Sequence, residues 1–106
     1  MSSAREELTN IVRSTESIRQ IILDLENEPV RLLCIIGREK TTTGAAIPDH
    51  RLGLNNYFAE AALRALVAAG LVTQRPGGII SIYDYEPTEK GLAIYSKLCE
   101  EGVCKT

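Results

Sequence analysis

Leu52-Gly53-Leu54-Asn55-Asn56-Tyr57-Phe58-Ala59-Glu60-Ala61-Ala62-Leu63-Arg64-Ala65-Leu66-Val67-Ala68-Ala69-Gly70-Leu71-Val72 is the stretch whose reading decides the fold. It reads as a tight turn, a helix over about 55–69, a glycine stop and the start of a strand. Phe58, Ala59, Ala62, Leu63, Leu66 and Val67 recur at helical spacing and form one apolar stripe. The opposite face carries Asn56, Tyr57, Glu60, Ala61, Arg64 and Ala68. Asn55 is a good N-cap, and Gly70 suits the left-handed residue that ends a helix.

Outward on the C-terminal side, residues 71–86 read as a β-hairpin. Leu71 to Arg75 is the first strand, Pro76-Gly77-Gly78 the turn, and Ile79 to Tyr85 the second strand, rich in β-branched and aromatic residues. Both faces of that second strand are apolar, which predicts a further element or subunit against it. Thr88 caps a last helix with Leu92, Tyr95, Leu98 and Cys99 on one side, ended by Gly102.

On the N-terminal side, Val30 to Arg38 predicts a mostly buried helix, with Pro29 tolerated in its first turn and Gly37 near its end. Thr41-Thr42-Thr43-Gly44 reads as a loop or short strand, and Pro48 as the opening of a short helix through Arg51 with Ile47 tucked beneath. Further back, residues 4–26 predict a long amphipathic helix. Leu8, Ile11, Thr15, Ile18, Ile22 and Leu25 follow alternating spacings of three and four, a short heptad seam. That seam predicts a helix that pairs with its own copy, with a fold back onto its own domain as the competing reading. Tyr95 and Leu98 of the last helix are expected to add to the dimer contact.

Two segments together resemble winged-helix transcription regulators of the arsenic-repressor and multiple-antibiotic-resistance-repressor type. They are the Leu52-Gly53-Leu54 turn with its helix ending in Gly70-Leu71-Val72, and Tyr85-Glu86-Pro87-Thr88-Glu89-Lys90-Gly91. The second is similar to the family's Tyr-x-Leu-Thr-x-x-Gly, with Pro87 standing for the Leu. The resemblance spans roughly residues 30 to 98. It implies a mainly α fold with a small β-hairpin, a winged helix-turn-helix with an added helix at each end. The divisions are 1–28 for the N-terminal dimerisation helix, 29–87 for the winged core and 88–106 for the C-terminal helix and tail. It also implies a sequence-specific protein for double-stranded DNA that works as a homodimer.

The residue types fit that chemistry. A helix in the major groove reads base edges with Asn, Arg and similar side chains, while Arg, Tyr and amide groups hold phosphates. The candidates on the recognition helix are Asn55, Asn56, Tyr57, Glu60, Ala61 and Arg64, with Ala61 permitting close approach. His50 and Arg51 precede the helix as phosphate contacts. Arg75, Gly77 and Gly78 belong to the wing. Ordinary solvated side chains are the competing reading at each position.

Charge is distributed unevenly over the 106 residues, whose formal net charge is −2. Residues 1–28 carry three arginines against six carboxylates, and residues 84–106 three lysines against five. Residues 29–83 carry six basic against three acidic groups, so the positive charge lies in the segment that would face DNA. The weak overall charge favours a second reading, a winged-helix module that binds protein within a larger assembly.

Length implies one domain with a single small core. No apolar run reaches membrane-spanning length and no secretory signal pattern is visible, so a cytoplasmic protein with no membrane partner is expected. Three cysteines cannot close an intrachain framework in full. Cys34 reads as a small buried hydrophobe, and Cys99 and Cys104 as reduced thiols, a tail staple or an intersubunit bridge. The single His50 and the lack of a Cys-x-x-Cys argue against a metal. No nucleophile–base set or phosphate-cradling glycine loop is visible, so the chain reads as a non-enzyme with no cofactor. A small-molecule effector between the N-terminal helix and the domain is left open.

Overall fold

A computed structural model of the protein describes residues 3–13, 27–55 and 57–104. The elements in order are α1 (Ala4–Arg13), α2 (Asn27–Thr43), β1 (Ile47–Pro48), a single 3-10 turn (Asp49–Arg51), α3 (Tyr57–Ala68), β2 (Val72–Pro76), β3 (Tyr83–Pro87) and α4 (Glu89–Glu100). The fold is α+β: among the described residues, four helices surround a three-stranded antiparallel sheet of order β1-β3-β2.

The central helix α2 is longer than its sequence suggests. Pro29 sits in the first turn, where a missing N–H costs nothing. Leu32, Leu33 and Ile36 are buried in the core. The helix then continues through Gly37 to Thr43. Glycine inside a helix costs about 1 kcal/mol relative to alanine. It is required here because a Cβ at Gly37 would lie 2.5 Å from the ring of Tyr95 on α4. The threonines expected in a loop are instead the last helical turn. Thr41 and Thr43 donate their hydroxyls to the Gly37 and Glu39 carbonyls at 3.0 and 2.8 Å, the back-bonding that lets threonine sit in a helix.

The short helix through Arg51 expected after Pro48 is present as one 3-10 turn, Asp49–Arg51, with Ile47 buried, while residues 47 and 48 themselves are extended. They form an edge strand, with Ile47 opposite Tyr85 and Pro48 opposite Asp84. Proline is tolerated at a sheet edge because its missing donor is not needed there. Pro48 stands at the N-cap position of the 3-10 turn without a side-chain capping bond, and the helical segment before Leu52 is one turn long. Leu52 is buried and Gly53 has φ of 66°, a value that favours glycine. Arg31 on α2 holds this bend: it donates to the carbonyls of Leu52 and Gly53 at 2.9 and 3.3 Å. At the other end of α3, Gly70 at φ 77° carries paired hydrogen bonds from Gly70 to Val67 and from Leu71 to Leu66, at 3.1 and 3.0 Å. That is a Schellman stop.

The hairpin is shorter on its second arm than its sequence suggests. Val72 pairs with Pro87 and Pro76 with Tyr83, so β3 begins at Tyr83 and not at Ile79. Residues 77–82 are loop. β1 pairs along the other edge of β3, but it does not cover the apolar faces that predicted a further element or subunit: Ile79, Ile80 and Ile82 are exposed.

At the closed end of the hairpin, Thr88 caps α4 by accepting from Gly91 at 3.1 Å. It also donates to the Gly70 carbonyl at 2.6 Å, tying the start of α4 to the end of α3. Gly91 passes so close to the Leu71 carbonyl that a Cβ there would collide with it.

The termini meet. The amide of Ala4 donates to both carboxylate oxygens of Glu101, at 3.0 and 2.7 Å, and Lys97 pairs with Glu7 at 3.3 Å. Leu8 is fully buried, and Ile11 packs partly buried against the same core. The described part of the heptad seam therefore folds back on its own domain. Leu8, Tyr95 and Leu98, expected at a dimer contact, are buried inside the protomer and have no surface to offer a second copy. Thr15, Ile18, Ile22 and Leu25 lie outside the described residues. Cys34 and Cys104 form a disulfide across 70 positions, with Cα atoms 5.4 Å apart. This corrects both the reading of Cys34 as a free hydrophobe and a staple between Cys99 and Cys104. Cys99 is a free thiol, partly buried.

Candidate nucleic-acid interface

The surface in question is built on α3. Its inner face is Ala59, Ala61, Ala62, Leu63, Ala65 and Leu66. Packing against α1, α2 and β2 needs a wide face of small residues, and alanine lets the neighbouring helices approach. Two expectations change as a result. Ala61 is 1% exposed and belongs to the core, so it cannot touch a partner. Phe58, expected in the apolar stripe, is 42% exposed, and its ring stands edge-on to Tyr57 with centroids 6.1 Å apart. Such aromatic pairs favour this tilt.

The outer face carries Tyr57, which is 61% exposed, with Glu60 and Arg64. Arg64 is exposed, and no ion pair to another described residue engages its guanidinium. Asn55 is exposed just ahead of the helix, whereas Asn56 lies outside the described residues. Tyr57 and Arg64 are thus brought to one surface as the sequence predicts.

The basic residues around the helix are differently placed. Arg51 donates to both carboxylate oxygens of Glu39 at 3.2 Å each. Arg75 pairs with Glu86, and Lys40 reaches the same carboxylate at 3.2 Å. The positive charge expected of the central segment is therefore partly neutralised, in the case of Arg75 by an acid outside that segment. Arg51 and Arg75 are the exposed partners, at 52% and 61%, so a phosphate can reach them, whereas Glu39 and Glu86 are only 17% and 13% exposed. His50 is exposed, with Nδ1 3.9 Å from Asp49, beyond hydrogen-bond distance. Gly78 is exposed at the hairpin loop, and Gly77 is half-buried because it packs on Ser81.

Sequence reasoning missed the loop 77–82 of the hairpin. Ile79, Ile80 and Ile82 are 103%, 79% and 76% exposed. Alternating β-branched residues are an ordinary strand signal, and only the register that ends pairing at Pro76 and Tyr83 turns them out. It also missed Arg31, whose role depends on carbonyls 21 and 22 residues away.

A groove of about 340 Å³ lies elsewhere, between α1, α2 and the tail, lined by Arg5, Arg31, Arg38, Val30, Ile35 and the disulfide, among others. It lies between the N-terminal helix and the rest of the domain, the place expected for any small-molecule effector. Among the described residues no group of three His, Cys, Asp or Glu side chains is placed to hold a metal. No described helix is long and apolar enough to cross a membrane. Comparison with protein-family models, curated proteins and solved structures gives no significant match.

Proposed function

We propose that this chain is a winged helix-turn-helix protein that binds double-stranded DNA, with α3 in the major groove and the β2–β3 hairpin as the wing. The observation that carries the reading is the two-sidedness of α3. One face is committed to the core, while the other presents Tyr57, Glu60 and Arg64, and the hairpin follows α3 directly in the chain. Arg64 reaches guanine or phosphate, Tyr57 a phosphate or a thymine methyl, and Asn55 the backbone at the helix start. Arg51 and Arg75 exchange Glu39 and Glu86 for phosphates on binding. In this reading the protein is a cytoplasmic transcription regulator rather than an enzyme. Its homodimer would use Thr15, Ile18, Ile22 and Leu25, since Leu8, Tyr95 and Leu98 are taken by the protomer's own core.

Fluorescence anisotropy against duplex DNA at two salt concentrations tests this, with Arg64→Ala and Tyr57→Ala alongside and light scattering for mass. Binding whose log–log salt slope is about −0.9 per phosphate neutralised, weakened in both variants, is the expected outcome. No binding even at low salt sinks it. The second reading, a protein-interaction module, is favoured by one observation: the carboxylates that hold Arg51 and Arg75 leave the surface weakly charged. In that case the same face docks a protein, and duplex DNA is ignored at every salt concentration.

A further inference from the structure

We infer that the loop 77–82 is an apolar wedge that enters the minor groove and unstacks a base step, so that the protein bends the duplex it binds. The inference rests on the DNA-binding reading above and goes beyond it, because a wing normally holds backbone with charge and the tip of this one carries none. From Gly77 to Tyr83 the chain reads Gly-Gly-Ile-Ile-Ser-Ile-Tyr, without a charged side chain. The nearest arginine, Arg75, is paired with Glu86.

The isoleucines are not loose. Gly77 donates to the Ile82 carbonyl at 2.8 Å and closes the base of the loop. Ser81 turns inward and donates to Asp84 at 2.7 Å. One carboxylate oxygen of Asp49 accepts from the amides of Ile82 and Tyr83, at 3.2 and 3.1 Å. These bonds tie the two ends of the loop and Ser81 to the protein, and its three isoleucines face solvent. Isoleucine is stiff at χ1, so little side-chain freedom is lost when the loop inserts.

Asp49 also decides where the wedge is aimed. It belongs to the 3-10 turn that leads into α3, so the tip is fixed relative to the recognition surface. Three isoleucines are far fewer than the roughly 20–30 residues a side of a stable protein interface. A small projecting tip suits insertion better than flat association. The minor groove is about 6 Å wide, and apolar side chains including isoleucine are the type that wedge between base steps there, kinking the duplex toward the major groove. That kink would close the major groove onto α3.

The test uses the full chain and its Ile79→Ser/Ile80→Ser double variant, with a mixed-sequence duplex pool carrying donor and acceptor dyes at its ends. Anisotropy reads affinity and energy transfer reads the bend. Both side chains are exposed, so circular dichroism should show the variant folded as the wild type. The wild type is expected to shorten the end-to-end distance. The variant should bind about tenfold more weakly and leave the duplex as straight as free DNA. If the wild type binds without bending, or the variant bends the duplex equally, the wedge is overturned and the DNA-binding reading stands. If the wild type binds no duplex, both are overturned. Loss of a dimer in the variant would then identify the loop as a self-association surface.

Discussion

Gly91 lies where α4 passes the end of α3 closely enough to exclude a methyl group, whereas Ile79 and Ile80 stand in open solvent at the other end of the same hairpin. The closed end is over-determined. Thr88 bridges Gly70 and Gly91, Gly37 makes room for the Tyr95 ring, and a disulfide ties the tail to α2. The open end has ion pairs on its flank and apolar groups with nothing over them. The chain keeps its tightest packing away from the surface proposed to bind. The difference teaches that the stability of this molecule and its proposed function are carried by different residues, which substitutions can separate.

The largest expected effect is on the closed side. Reducing the Cys34–Cys104 disulfide, or replacing Cys104 by Ser, should cost about 4 kcal/mol, because the bridge closes a loop of 70 positions in the unfolded chain. Thermal unfolding with and without reductant measures it, and Cys99→Ser should leave the reductant-sensitive shift in place. An unchanged melting temperature on reduction would mean that packing alone holds the tail.

Gly91→Ala should cost about 3 kcal/mol, since the Cβ meets backbone rather than a flexible side chain. Denaturant titration reads this, and a neutral result would show that the α3–α4 junction can yield. Thr88→Ala should cost about 1 kcal/mol, through the lost cap on α4 and the lost bond to Gly70.

On the open side the effects on stability should nearly vanish. Arg64→Ala and Ile80→Ser are each expected to change unfolding free energy by no more than about 0.5 kcal/mol. Destabilisation well beyond that would erase the contrast between the two ends.

The sequence made local features legible because their causes are local. Gly70 and Gly102 end helices where left-handed backbone was expected, with φ of 77° and 76°. Thr88 caps α4, and the apolar spacing of residues 58–67 marks α3. The candidate surface was legible to the same depth. Tyr57 and Arg64 face outward as helical periodicity requires, but the phase of the stripe was off at its edges, so Ala61 and Phe58 changed places. Periodicity gives a face about as wide as its apolar residues, whereas three packed neighbours define how much of α3 is covered.

What the amino-acid order determined by itself is the set of helices and turns whose signals lie within a few residues: the α3 stop, the α4 cap and the proline-initiated start of α2. Tertiary structure alone decided the partners of distant groups. It put Gly37 under Tyr95, Arg31 on the carbonyls of Leu52 and Gly53, Cys34 against Cys104 and Glu86 between Lys40 and Arg75. It also ended the hairpin at Pro76 and Tyr83 and so exposed the isoleucines. The physical reason is range. A φ preference or a capping hydroxyl acts within a turn of chain, while a collision, a bridge or an ion pair exists only once segments far apart in sequence have been packed together.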